Sequence, residues 1–171
     1  MRSIPILLLV AALAAAQQRP NLDAQKAAMR KLEFLAGKWV GPASAQTGPG
    51  KTVNLTQTEQ IEYRLDGLLL TIEGTGRDPE TGKVLFHAFA VVSYDESAGE
   101  YAIRAYSDGR KIDSKLESDG KGFAWTMSVG NGVEVRHNMR LTDKGAWSET
   151  STVKLPSGQE FTQVRMDLEK K

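Results

Sequence analysis

The sequence predicts an all-β fold: a closed, antiparallel, up-and-down β-barrel of about ten strands, preceded by a single N-terminal helix. From Trp39 onward, apolar residues recur at every second position, most clearly in 52–63. The residues sharing one face there are Val53, Leu55, Ile61 and Tyr63. Turn signals such as Asp108-Gly109 and Asn131-Gly132 recur at intervals of about 10 to 15 residues, the spacing of a hairpin meander. An open sheet of that size would leave two unpaired edges, so closure is expected.

The N-terminal helix is predicted over residues 21–36, before the strands begin. Leu22, Met29, Leu32 and Leu35 lie near helical spacing. Asn21 or Asp23 can cap its start, and Gly37 is a typical stop signal. The helix is expected to pack across or beside one end of the barrel.

The first residues predict export. The chain of 171 residues starts with Met1-Arg2 and is apolar from Ile4 to Ala16, with small residues before Gln17. This pattern is typical of a secretory signal peptide in residues 1–16, and the apolar run is shorter than the ~20 residues of a membrane-spanning helix. Residues 17–36 then form an N-terminal segment with the helix, and 37–171 the barrel domain. A periplasmic or extracellular location, without a stable membrane anchor, follows from this prediction.

Charge and cysteine content exclude several functions. Losing Arg2 with the signal peptide leaves 21 basic and 21 acidic residues, because the whole chain has 22 Lys and Arg and 21 Asp and Glu. Basic and acidic residues are interspersed along the chain, which disfavours nucleic-acid binding. The sequence has no cysteine, so disulfides, thiol catalysis and thiolate metal sites are excluded.

Gly37-Lys38-Trp39 after a short helix, with only strands thereafter and Arg165 in the last one, resembles the calycins, the lipocalins and their relatives. The resemblance implies that Trp39 seals the closed end of the barrel and that Arg165 stacks over it. The stretch from Phe86 to Asp95, followed by Tyr101, resembles the uncharacterised lipocalin-like proteins of bacteria. Barrels of about ten strands in the nitrobindin group bind haem through one histidine, and this resemblance makes His137 a candidate haem ligand.

The predicted function is the binding or carriage of a small apolar molecule in the barrel interior. No resident cofactor or metal is expected. The residues predicted to line the ligand cavity share the inward face of three strands: Leu55, Gln57, Glu59, Ile61, Tyr63, Trp125, Met127, His137 and Met139.

Two interpretations remain open for His137. Alternation places it inward with Val135 and Met139, where it could ligate haem iron. The favoured alternative is a core histidine bonded to a neighbour such as Gln57 or Glu59. The direction of His87, the other histidine, is not assigned by the pattern, and two histidines on separate strands do not predict a zinc site.

Glu59 is the second candidate for chemistry. Its carboxyl either projects into the cavity or, as the pattern slightly favours, lies solvated near the barrel mouth. Arg104 or Arg136 could pair with it. A third functional hypothesis, an isomerase or hydrolase, would use Glu59 or His137 for acid–base chemistry.

Overall fold

A computed structural model describes residues 20–171 and contains a closed ten-stranded antiparallel barrel. The predicted signal peptide, residues 1–16, lies outside the described residues. The predicted fold class is confirmed. No helix in the described part of the chain is long and apolar enough to cross a membrane.

Each strand pairs with its neighbours in sequence, and β1 closes the barrel by pairing with both β2 and β10. The strands are β1 (Gly37–Gly48), β2 (Lys51–Arg64), β3 (Leu69–Arg77), β4 (Val84–Asp95), β5 (Glu100–Ser107), β6 (Arg110–Ser118), β7 (Gly122–Gly130), β8 (Val133–Leu141), β9 (Trp147–Lys154) and β10 (Glu160–Lys170).

The helix is shorter than predicted. Helix α1 spans Leu22–Arg30, and a 3-10 turn at Glu33–Leu35 follows it; a second 3-10 turn, Leu65–Gly67, joins β2 to β3. The Asn21 side chain accepts a hydrogen bond from the backbone N–H of Ala24, so Asn21 is the N-cap. Gly37 lies beyond the helix and the 3-10 turn, as the first residue of β1, and adopts a positive φ of 119°.

The helix closes one end of the barrel, called here the helix end. Tyr63 of β2 donates a hydrogen bond to the carbonyl of Met29, and Tyr101 of β5 donates one to the carbonyl of Ala28, both at 2.7 Å. These carbonyls belong to the last turn of α1. Two distant strands therefore hold the helix in place through its C-terminal end.

The main apolar core lies directly beneath this helix. Trp39 is 1% exposed, and its indole N–H donates to the carbonyl of Leu35 at 2.8 Å. Its ring meets Trp147 edge-on at 5.6 Å, and Trp147 meets Phe123 in the same way at 5.7 Å. Trp39 thus connects the 3-10 turn before β1 to the aromatic residues of β9 and β7.

The predicted stacking of Arg165 on Trp39 is wrong. Arg165 pairs in register with Ser44 and Thr150 on the outer face of the barrel and is exposed. The cation over the Trp39 ring is the ammonium of Lys170, 5.3 Å from the ring centre. Lys170 faces Trp39 across the β1–β10 pair, whereas Arg165 is five residues away and on the opposite side of the strand.

We expect Trp39→Ala to lower the free energy of unfolding by about 3 to 5 kcal/mol, the range for removing a buried large aromatic side chain. Denaturant unfolding of the two proteins measures this difference. Trp125→Ala, at a partly exposed inward position, is the matched control and should cost less. A Trp39 variant that unfolds like the parent would contradict this account of the core.

Candidate functional site

The barrel interior is packed at the helix end and accessible towards the other end, called here the open end. Inward-facing residues near the helix, such as Ile61, Val92 and Met139, are at most 1% exposed. Nearer the open end, inward-facing side chains including Leu55, Met127 and Val164 are partly exposed. Solvent therefore reaches into the barrel from the open end.

A divergence between two strands adds to this access. Strands β6 and β7 pair only between Leu116–Ser118 and Phe123–Trp125. Towards the open end they separate, and the Ser114 hydroxyl donates to the carbonyl of Thr126 at 2.7 Å across the gap. Trp125 lies where this gap begins.

A cluster of polar side chains occupies the middle of the interior, and we call it the polar cluster. Gln57 and Glu59 of β2 contribute to it, together with His137 of β8 and Glu149 and Ser151 of β9. Gln57, Glu59, Glu149 and Ser151 are 2%, 6%, 6% and 2% exposed. These four polar residues are as buried as the apolar core, so their environment determines their chemistry.

The two carboxyl groups each have a different hydrogen-bond donor. The Gln57 amide donates to Glu59 Oε1 at 2.7 Å, and the Trp147 indole N–H donates to Glu149 Oε2 at 3.0 Å. Burial raises the pKa of Glu59 to about 7, although the Gln57 hydrogen bond lowers it. Burial also raises the pKa of Glu149 to about 8, with charge repulsion from Glu59 adding to the effect. Near neutral pH Glu149 is therefore largely protonated, and Glu59 is about half protonated.

His137 is held in place on two sides. Its Nδ1 shares a hydrogen bond of 2.8 Å with the Ser151 hydroxyl, and its ring stacks on Trp125 at 4.2 Å, nearly parallel. Its Nε2 is buried and has no hydrogen-bond partner among the described residues. Burial lowers the pKa of His137 to about 4, so the ring is neutral at pH 7.

Glycines opposite the polar cluster make room for it. Glu59 faces Gly74 across the β2–β3 pair, and Gln57 faces Gly76. A Cβ atom at Gly74 would lie 2.8 and 2.9 Å from the Glu59 carboxylate oxygens, and one at Gly76 would lie 2.8 Å from Gln57 Oε1. Both polar side chains therefore lie across the bare backbone of β3.

The wall beyond these glycines also carries small side chains. The cross-strand register continues the inward face from Gly74 to Ala88 and Ser107, and from Ile72 to Ala90 and Ala105. Larger inward-facing side chains, Trp125, Met127 and Met166, come from β7 and β10. Space inside the barrel is thus expected along β3–β5, in front of the polar cluster.

The nine predicted site residues divide into three groups. Gln57, Glu59, His137 and Trp125 meet in or beside the polar cluster. Leu55 and Met127 line the wall towards the open end. Ile61, Tyr63 and Met139 belong to the packed core at the helix end, where Tyr63 holds the helix.

Three more specific expectations were wrong. Glu59 is buried in the interior and not solvated at the mouth. Its partner is Gln57, because Arg104 pairs with Asp113 and Arg136 with Glu117 on the outer surface. His137 is bonded to Ser151, and not to Gln57 or Glu59.

His87, left unassigned by the pattern, points outward. It is exposed and contacts Glu73 at 3.0 Å. It therefore does not contribute to the interior site.

Two residues of the polar cluster, Glu149 and Ser151, were missed, as was Trp147, the hydrogen-bond donor to Glu149. Alternation in β9 places Trp147, Glu149 and Ser151 on one face, but Ser148, Thr150 and Thr152 make the other face equally polar. The signal was therefore present as a period of two without the usual contrast in hydropathy.

Two clefts lie on the surface, away from the polar cluster. One, of about 490 Å³, lies at the β5–β6 turn beside Phe89 and Tyr106. The other, of about 590 Å³, lies at the helix end beside Lys31 and Tyr101. Neither contains a residue of the polar cluster.

The comparisons with known proteins support the fold. The chain is similar in structure to Rv2717c from M. tuberculosis, with a TM-score of 0.64 and 12% sequence identity over 84% of this chain and 97% of that one. No protein-family model and no curated protein matches the sequence.

The raised pKa of Glu149 predicts a pH dependence of stability. An unfolded chain releases this proton near pH 4.5, whereas the folded protein keeps it until about pH 8. The contribution of Glu149 to stability is therefore greatest below pH 4.5 and is lost as the pH rises to about 8.

We expect Glu149→Gln to gain stability relative to the parent between pH 5 and pH 8.5, by at least about 1.4 kcal/mol, which corresponds to one pKa unit. Denaturant unfolding at several pH values measures this gain. Glu134→Gln, at an exposed position, is the control and should show no such trend. A constant difference between Glu149→Gln and the parent would show that the carboxyl is ionised in the folded state.

Proposed function

We propose that the barrel binds a small, largely apolar molecule in its interior, and that the ligand enters from the open end or through the gap between β6 and β7. The observation that carries the proposal is the partial exposure of inward-facing side chains beyond the packed core, among them Leu55, Met127 and His137. A barrel whose only role was structural would be expected to fill this region with large side chains.

The shape and chemistry of the interior support this proposal. Small side chains line the inward face of β3–β5, and large apolar side chains project inward from β7 and β10. The polar cluster lies in the same interior. Apolar walls with a few placed polar groups are typical of small-molecule sites. Flexible methionines such as Met127 and Met166 adapt to irregular ligand shapes.

The sequence features of residues 1–39 extend the proposal to location and ancestry. The predicted signal peptide supports a carrier in the periplasm or outside the cell. The resemblance of Gly37-Lys38-Trp39 to calycins, together with the closed barrel, supports a place among lipocalin-like binding proteins.

Nile red, a neutral dye that brightens in apolar surroundings, tests interior binding. We expect the parent to enhance the fluorescence of the dye. In a fluorescence titration, Ala105→Trp should lower the affinity for the dye by about tenfold or more, since the indole would fill the space in front of the polar cluster. Ala102→Trp is the matched control, because Ala102 lies on the same strand but faces outward and is exposed.

Circular dichroism and thermal melting establish that both tryptophan variants fold. If Ala105→Trp disturbs the fold, Ala88→Phe places an obstacle at the neighbouring inward position. Absence of dye binding by the parent, or equal binding by the inward and outward variants, would overturn the proposal.

Haem is a second candidate ligand, favoured by one observation. His137 Nε2 is buried without a partner, while Nδ1 is oriented by Ser151. Metal-ligating histidines commonly have this arrangement, with the second ring nitrogen fixed by a hydrogen bond. His137 would hold the iron, and Met127 would contact the porphyrin; bound haem would supply a redox-active, gas-binding iron.

Titration with hemin distinguishes this candidate. If His137 is the axial ligand, a Soret band should appear with the parent and with His87→Ala, whose histidine is exposed on the outer face, but not with His137→Ala. A spectrum of unligated hemin with the parent would exclude haem and leave His137 as a residue of the polar cluster. In that case His137→Ala should mainly lower stability.

A further inference from the structure

Among the described residues, the middle of the interior carries two carboxyl groups and no Lys or Arg side chain at their level. The Lys and Arg residues at inward-facing positions are Lys170, above Trp39 at the helix end, and Lys51 and Arg110, at the open rim. Glu59 and Glu149 lie between these two levels. Their hydrogen-bond donors are an amide and an indole, both uncharged.

These donors leave acceptor positions unused. Glu149 Oε2 accepts from Trp147, but Oε1 has His137 Nδ1 at 3.8 Å, beyond hydrogen-bonding distance. The Glu149 side chain is only 7% exposed. This oxygen accepts no hydrogen bond among the described residues and, unlike His137 Nε2, is not fully enclosed, so it is suited to accept a donor from another molecule.

The positions of the two carboxyls are compatible with one shared ligand group. Glu59 lies opposite Trp39 across the β1–β2 pair, and the Trp39 ring meets Trp147, whose indole N–H donates to Glu149. Both carboxyls therefore lie beside the same pair of tryptophans, on the single interior of the barrel. The glycine at position 74 lets the Glu59 carboxyl lie flat against β3, on the wall of small residues. The His137 ring lies beside Glu149, with its Nδ1 3.8 Å from Glu149 Oε1 and its Nε2 buried without a partner among the described residues.

From this arrangement we infer that the interior ligand is an apolar molecule whose inner end carries a protonated amine, bound between Glu59 and Glu149. The inference rests on the proposed function and specifies the class of ligand. An ammonium group has three donors and a positive charge, which meets both carboxyls and removes their repulsion. The apolar remainder lies along Leu55 and Met127 towards the open end.

The same arrangement disfavours a carboxylate ligand such as a fatty acid. An anionic head group would need an inward Arg or Lys at the level of the polar cluster, and none of the inward-facing described residues there provides one. It would also face two acidic side chains. A neutral alcohol should bind with an affinity between those of the amine and the carboxylate, since it can donate one hydrogen bond.

Displacement of Nile red by three molecules of equal length tests the inference: hexylamine, hexanol and hexanoate. We expect hexylamine to displace the dye at a concentration at least about tenfold below that of hexanoate at pH 7.5, and below that of hexanol. The affinity for hexylamine should increase from pH 6 to pH 8.5 as the carboxyls ionise, whereas that for hexanol should not.

Variants identify the responsible groups. Glu59→Gln and Glu149→Gln should each reduce the preference for hexylamine over hexanol, and the double variant should abolish it while still binding Nile red. Glu134→Gln, exposed on the outer face, should behave like the parent. Rescue of the preference by Glu149→Asp would separate the charge from a change in packing.

The outcomes separate the two proposals. If Nile red binds but hexanoate competes as well as hexylamine, or if the preference survives in the double variant, the amine inference is wrong and interior binding stands. If the parent does not bind Nile red, both proposals are wrong.

Discussion

The closure of the sheet through β1 is the constraint on which the rest of the structure depends. Because β1 pairs with both β2 and β10, each strand presents one face to a single shared interior. A closed barrel has no sheet edge, so a polar side chain on the inward face is enclosed by the barrel wall. Gln57, Glu59 and Glu149 are therefore buried by topology, and their chemistry follows from the partners that the neighbouring strands supply.

The two ends of the barrel have different roles. At the helix end, Trp39 and Trp147 with the residues around them form a continuous core, and Tyr63 and Tyr101 hold the last carbonyls of α1. This end contributes most of the apolar burial. The open half can therefore keep small residues and partly exposed side chains, since the fold does not depend on filling it.

The period of two and the spacing of turns predicted most of this fold correctly, because both are local properties of strands and hairpins. The cap at Asn21 is local in the same way, whereas the predicted helix stop at Gly37 was wrong, because α1 already ends at Arg30. The pairing of Trp39 with Arg165 failed because it depends on the register of β1 against β10, which places Lys170 opposite the tryptophan. Register across the closing strand pair is a long-range property that one sequence does not specify.

The candidate site was only half predictable for the same reason. Alternation within β2, β7 and β8 identified Glu59, Trp125 and His137 as inward residues. The hydrogen-bond partner of His137 comes from β9, and the glycine that makes room for Glu59 comes from β3; Ser151 and Gly74 carry no hydropathy signal of their own. The pKa shifts of Glu59 and Glu149 arise from burial, to which repulsion from Glu59 adds at Glu149, so they could not be inferred before the strands were assembled.

The pairing of β2 with β3 argues that the polar cluster has a function beyond stability. Two buried polar side chains stand on β2, directly opposite two glycines on β3, in the register Gln57 to Gly76 and Glu59 to Gly74. A buried carboxyl is costly, and each glycine in a strand weakens it by roughly 0.5 to 1 kcal/mol relative to alanine. Apolar residues at Gln57 and Glu59 would remove the first cost, and larger residues at Gly74 and Gly76 would then fill the space. The polar side chains on β2 fit only because β3 has glycines opposite them, so the two costs occur together. This coupling argues that the four positions serve to keep polar groups in the interior, as a binding site for a small molecule would require.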